Sequence, residues 1–124
     1  MVDGESGPAP ALTIGAHRAE HDDGVVLEVS GEIDLATAPQ LQRSFDEALR
    51  DEATPVVVDL NGVTFLGSIG LSLLVRAHGQ AGPGRLRVVA QTSAARRPIE
   101  ITALGQVLSM FPTVPDALHA QSVE

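Results

Sequence analysis

A chain of 124 residues, 44% of them hydrophobic, suffices for one globular domain with a single core. Sixteen acids against eight basic residues leave a net charge of −8; every basic residue is an arginine, and the only aromatics are Phe45, Phe65 and Phe111. That composition argues against nucleic acid as a direct partner, since phosphate binding wants a basic face and single-stranded bases want stacking aromatics, and the lack of cysteine excludes disulfides and thiolate chemistry.

Residues 1–10, MVDGESGPAP, are rich in Gly, Pro and acids and read as a disordered tail. This start is acidic and has no apolar segment like that of a signal peptide, and no apolar run approaches the ~20 residues that span a bilayer. A soluble cytoplasmic protein is expected. Ala11 to Ala16 reads as a first strand, His21-Asp22-Asp23-Gly24 as a turn, and Val25 to Ser30 as a second strand, giving an antiparallel hairpin. Thr37 or Ala38, ahead of Pro39, is placed to start a helix whose Leu41, Phe45, Ala48 and Leu49 recur at helical spacing. That helix should end between Asp51 and Pro55.

Val56 to Leu60 is a short β-branched run, the pattern of a strand buried on both faces. Asn61-Gly62 carries turn chemistry and is expected to break it; Val63 to Leu66 resumes it, and Gly67 stops it. From Ile69 the period is helical, with Leu71, Leu74, Val75 and His78 on one stripe. Ser68 falls where an N-cap belongs. Ile69 and Leu73 lie off the stripe, covered by neighbouring loops or forming a docking surface around Ser68. Gly79 to Gly84 is a turn, and Leu86 to Ala90 another buried strand. Thr92 or Ser93 caps a helix carrying Ile99, Ile101, Ala103 and Leu104, with Gly105 as its C-cap. Val107 to Phe111 is a last strand, Pro112 to Pro115 a turn, and Asp116 to Ala120 a short helix. Strands alternating with helices after an opening hairpin imply an α/β fold, a mixed sheet with right-handed crossovers and helices packed mainly on one face.

Ser68 has two readings. It is a helix cap, or a hydroxyl presented for chemistry. A nucleophile elbow needs GxSxG, and Gly67-Ser68-Ile69-Gly70 has its glycines at other offsets. A phosphate acceptor needs less, because a partner kinase brings the catalytic groups. His17 and His21 are spaced for a metal only on a helix, and here they flank a turn, so a solvated loop is the reading. His78 sits at a helix end, where it packs or meets the dipole. Asp59 ends a buried strand like a receiver-domain phosphoacceptor, but the lysine that chemistry needs is missing. No Walker loop, dinucleotide fingerprint or persuasive carboxylate pair is present. Arg85, Arg87, Arg96 and Arg97 cluster late in the chain, either as a local basic patch or, the reading favoured, as solvated helix and strand ends. The expectation is therefore no enzyme, no metal and no cofactor.

Three segments together resemble STAS-domain proteins of the bacterial anti-sigma factor antagonist family. Gly31-Glu32-Ile33-Asp34 with Thr37-Ala38-Pro39 is similar to the family's GEID…TA segment. DLNGVTFLGSIGL, residues 59–71, resembles its D-L-x-x-V-x-F-[ML]-D-S-[ST]-G-L signature, the most specific of the three. Residues 93–118 resemble its closing helix–strand–helix. The resemblance implies a single STAS domain over residues 11–120, with a four- or five-stranded mixed sheet. It implies a protein that binds an anti-sigma factor, itself a serine kinase, and so frees a sigma factor. The kinase would phosphorylate Ser68 and end the complex, and a serine phosphatase would restore it. Implied partner contacts are Asp34, Thr37, Leu66, Gly67, Ser68, Ile69 and Ser72, with no direct contact to nucleic acid or membrane. Two positions depart from the family: Gly67 stands for its aspartate and Ile69 for its Ser/Thr. A rival reading is an unphosphorylated STAS module of a lipid-transport or stress-signalling complex, in which Ser68 only caps its helix. A nucleotide hydrolase is a third, with no phosphate loop behind it.

Overall fold

The computed structural model describes residues 11–19, 24–51 and 54–120. The expected tail at 1–10 and His21 lie outside them. The strands are β1 (Leu12–Arg18), β2 (Val25–Ile33), β3 (Val56–Leu66), β4 (Leu86–Val89) and β5 (Ser109–Phe111). The helices are α1 (Ala38–Ala48), α2 (Ser68–Ala81), α3 (Ser93–Ile101) and α4 (Val114–His119). The sheet order is β1-β2-β3-β4-β5; β1 runs antiparallel to β2, and every other neighbouring pair is parallel. The expected mixed sheet with an opening hairpin is borne out.

The alternation of side chains along the strands divides the core in two. Leu27, Val29, Val56, Val58, Leu86 and Val88 face the larger half, where Leu41 and Phe45 of α1, Leu74 of α2 and Ile99 of α3 meet them. Val26, Val57 and Val89 face the other side and pack on Ala117 of α4. Val56, Val57 and Val58 are all fully buried, as a strand covered on both faces requires. Three described helices share one face and α4 alone covers the other, so the helices do pack mainly on one side.

Asn61-Gly62 does not break the strand. β3 runs through it for 11 residues, and the turn chemistry is spent on a bulge instead. The register with β2 passes from Glu28 opposite Asp59 to Ser30 opposite Gly62, and slips again between Gly31 opposite Val63 and Glu32 opposite Phe65. The Asp59 carboxylate accepts from the Asn61 N–H (2.9 Å), and the Asn61 side-chain oxygen accepts from the Gln91 N–H (2.8 Å), which ties the end of β4 to the bulge. At Gly62 a β-carbon would collide with the Ser30 side chain.

The later boundaries also shift. α3 ends at Ile101, because the Thr102 hydroxyl donates to the Pro98 carbonyl (2.7 Å) and Ala103 turns left-handed at φ 61°. Leu104–Gln106 is a 3-10 turn, so β5 keeps only Ser109–Phe111. α4 starts at Val114, since the Thr113 hydroxyl accepts from the Asp116 N–H (3.1 Å). Two of the late arginines, Arg85 and Arg87, are not the solvated ends expected. Arg85 donates to the carbonyls of Leu49, Asp51 and Thr54 and pins the α1–β3 connection. Arg87 is only 2% exposed and donates to the carbonyls of Gly84 (2.8 Å), Ala117 (2.6 Å) and Ala120 (2.8 Å), clamping the end of α4 to β4. Burial pushes its guanidinium pKa below the ordinary value. Arg96 pairs with Glu100 at 3.4 Å along α3.

Candidate functional site

The site forms where β2 and β3 end together, at the carboxyl edge of the parallel strands, the edge at which open α/β sheets place their sites. The Gly67 N–H donates to the Ile33 carbonyl (2.9 Å), and this bond holds Gly67 extended at φ −82°, ψ 174°. The Gly67 carbonyl then accepts from the N–H groups of Gly70 (3.0 Å) and Leu71 (3.2 Å), which opens α2. Gly67 is therefore the N-cap residue and Ser68 the first helical residue, one position later than a cap. The cap role goes to the residue with non-helical backbone, and the bond to Ile33 assigns that backbone to Gly67.

Ser68 is exposed, and its hydroxyl has no hydrogen-bond partner among the described residues. Free N–H groups surround it, as at any helix start, and no acidic residue in the first turn offsets the positive end of the dipole. Gly70 lets this turn press onto the sheet: a β-carbon there would lie 2.6 Å from Ile33 Cγ2 and 2.7 Å from Leu66 Cδ1.

The buried face of α2 is Gly70, Leu71, Leu73, Leu74 and Ala77, rotated from the expected 71/74/75/78 stripe. Leu73 is core and makes no docking surface, while Ile69 is half-buried, packed partly against the core. Val75 is half-buried and turns toward a groove of about 580 Å³ between α2 and the segment after α3, with Ser68 and Ser72 on its rim.

The turn before α1 stands beside this edge. The Thr37 hydroxyl donates to the Glu32 carbonyl (2.8 Å) and accepts from the Asp34 N–H (2.9 Å), while Asp34 Oδ1 accepts from the N–H groups of Ala36 (3.0 Å) and Thr37 (3.1 Å). Thr37 and Leu66, expected as contacts, are buried at 7% and 4% exposure. Both shape the surface from beneath: Thr37 locks the turn, and Leu66 seats α2. Ser68 and Ser72 are exposed, and Asp34, Gly67 and Ile69 are half-buried.

Sequence reasoning missed Phe65 and Leu35, which are 53% and 78% exposed at the same edge. Phe65 lies against Gly67, whose absent β-carbon would be 3.1 Å from the ring at Cε2. Strict alternation would bury Phe65 with Val63. The bulges change the rhythm from Leu60 onward to one buried residue followed by two exposed ones. Among the described residues no group of three or more His, Cys, Asp and Glu is placed to hold a metal ion, and no helix is long and apolar enough to cross a membrane.

A mixed five-stranded sheet with three helices on one face, and a helix opening on an exposed serine beside an exposed phenylalanine, is the build of a small open-sheet α/β domain. The family model of the STAS domain matches residues 16–117, and the chain belongs to that family. It is 41% identical over 101 residues to the anti-sigma-F factor antagonist RsfB of Mycobacterium tuberculosis, covering 81% of this chain and 83% of RsfB. RsfA, an anti-sigma-F factor antagonist of the same organism, is 33% identical over 106 residues, 81% of each chain. The crystal structure of an anti-sigma factor antagonist from Mycobacterium paratuberculosis superposes with a TM-score of 0.80 at 39% identity, over 89% of this chain and 94% of that one.

Proposed function

We propose that this chain is an anti-sigma factor antagonist: it binds an anti-sigma factor that is also a serine kinase, and so releases a sigma factor. Phosphorylation of Ser68 by that kinase ends the complex, and a serine phosphatase restores it. The observation that carries this reading is the exposed Ser68 hydroxyl, unbonded at the first position of α2. The names of the relatives at 41% and 33% identity support the partner class. The chain works in the cytoplasm as a binding protein, not as an enzyme, with no cofactor or metal.

Phosphate adds roughly −1.5 to −2 charges at neutral pH. At the start of α2 it meets free N–H groups and the positive end of the dipole, so the fold tolerates it. At a protein contact the same charge must be stripped of water, which opposes docking. Asp34, Gly67, Ile69 and Ser72 surround Ser68 as partner contacts, with Phe65 and Leu35 now added. The rival reading, a lipid-transport or stress-signalling module in which Ser68 merely caps its helix, is weakened because Gly67 occupies the cap position.

The test is to incubate the protein with the purified anti-sigma factor kinase of the same organism, magnesium and ATP. Mass spectrometry is expected to place one phosphate on Ser68. Ser68→Ala is expected to bind but not to be released by ATP, and Ser68→Asp to bind at least tenfold more weakly with an unchanged melting temperature. Phosphate on another residue, or full binding by Ser68→Asp, would sink the reading.

A further inference from the structure

The groove beside Ser68 is used by none of the steps above, and its chemistry is lopsided. Its walls are Leu71 and Val75 of α2 and Leu104 of the 3-10 turn, and Ser68 and Arg76 lie along the same side. Ser68 and Arg76 are eight residues apart on one helix, about 12 Å at 1.5 Å per residue, so the groove runs along two turns of α2. Ile101, next to the groove residue Thr102 in sequence, is 75% exposed.

Arg76 is exposed and, among the described residues, has no ion pair or hydrogen bond. α2 contains no aspartate or glutamate, so Arg76 has no acidic neighbour on its own helix in a chain of net charge −8. The single acid of α3, Glu100, is paired with Arg96. An apolar trough two helical turns long, beginning at the candidate switch and carrying one unmatched guanidinium, matches the contact face of an amphipathic helix. Its apolar residues recur at i, i+3 or i+4 and i+7, and a carboxylate can meet Arg76, for which guanidinium–carboxylate geometry is well suited.

We infer that the groove between α2 and the 3-10 turn receives an amphipathic helix of the anti-sigma factor, with an acidic side chain of that helix paired to Arg76. The inference rests on the antagonist reading and extends its contact surface from Ser68 along α2. It also gives a physical route for the switch: phosphate on Ser68 puts negative charge at the mouth of a trough whose occupant is itself anionic at the other end.

The probe is the purified anti-sigma factor kinase, titrated against the full chain. Arg76→Glu is expected to weaken binding tenfold or more with an unchanged melting temperature, and Arg76→Lys to stay within about threefold of wild type. One carboxylate-to-arginine change on a partner helix is expected to recover the affinity of Arg76→Glu. Ser72→Cys carrying a benzophenone is expected to crosslink to that same helix. If the wild type binds and Arg76→Glu binds within twofold of it, the groove is not the helix site and the antagonist reading stands. A crosslink between two copies of this chain, or to a non-helical segment of the partner, likewise overturns the inference. If the wild type does not bind the kinase at all, the antagonist reading itself falls and takes the inference with it.

Discussion

Gly70 is the position in α2 where one methyl group has the largest structural consequence. Alanine is the better helix former by about 0.8–1.0 kcal/mol. Its β-carbon, however, would sit 2.6 Å from Ile33 Cγ2 and 2.7 Å from Leu66 Cδ1, both on buried side chains that cannot swing into solvent. Overpacking of this kind costs ~1–3 kcal/mol and outweighs the propensity gain. Gly70→Ala is therefore expected to lower stability by ~1–2 kcal/mol in a urea titration, and a neutral result would show that the helix start can lift off the sheet at no cost. At this scale the sequence was informative about identity and misleading about role. Ser68 was legible as a special hydroxyl at a helix start. The cap stood as one of its two readings because serine is a good cap, and the competing bond from the Gly67 N–H to Ile33 is a tertiary contact that no local pattern reveals. Thr37 and Leu66 were legible as part of a motif, but burial beneath the surface was not.

At the level of elements, α2 begins with a glycine cap whose backbone, at φ −82°, suits any residue. An aspartate there would accept a first-turn N–H and offset the dipole, and it would restrict the unfolded chain. The obstacles are the Phe65 ring, 3.1 Å from the new β-carbon, which is half in solvent and able to give way, and the Ile33 carbonyl oxygen at 3.3 Å, which needs a shift of only a few tenths of an ångström. Gly67→Asp is expected to raise stability by ~0.5 kcal/mol, read as a higher melting temperature. A drop would mean that Phe65 or the Ile33 carbonyl is held in place. The strands and helices themselves were largely readable, since apolar period and turn residues fix them. The Asn61-Gly62 bulge was not, because the same turn chemistry serves a hairpin, a loop or an irregularity within a ladder, and only pairing with β2 decides which.

The whole molecule divides into a face that carries α1, α2 and α3 and a face that carries α4. Arg87 ties the second face together through three carbonyls, two of them at the end of α4. Hydrogen bonds to a charged donor contribute ~1.5–3 kcal/mol, and truncation leaves buried carbonyls unmatched. Arg87→Ala is expected to cost on the order of 3 kcal/mol and to speed amide exchange in α4 and β5, while α2 keeps its protection and kinase binding is unchanged wherever the protein is folded. Equal loss of protection in α2 would show that the two halves of the core unfold as one. The mixed sheet and its one-sided helices were legible from element order. The role of Arg87 was not, because a lone arginine in a buried strand looks like a solvated end until α4 is seen to cross it.

The two slips in β3 also act as a parity setting. They place Val63 and Leu66 inward with Thr64 and Phe65 outward, and thereby fix which way the chain is facing when it reaches Ser68. Deleting either extra residue would invert the inside–outside order of everything between it and the helix. Deleting both would restore the order but retract the serine by about 7 Å toward the sheet. The placement of Ser68 is thus counted out in backbone residues some distance before it, and shortening the ladder, with no change to Ser68 or its neighbours, is enough to withdraw its hydroxyl from the surface.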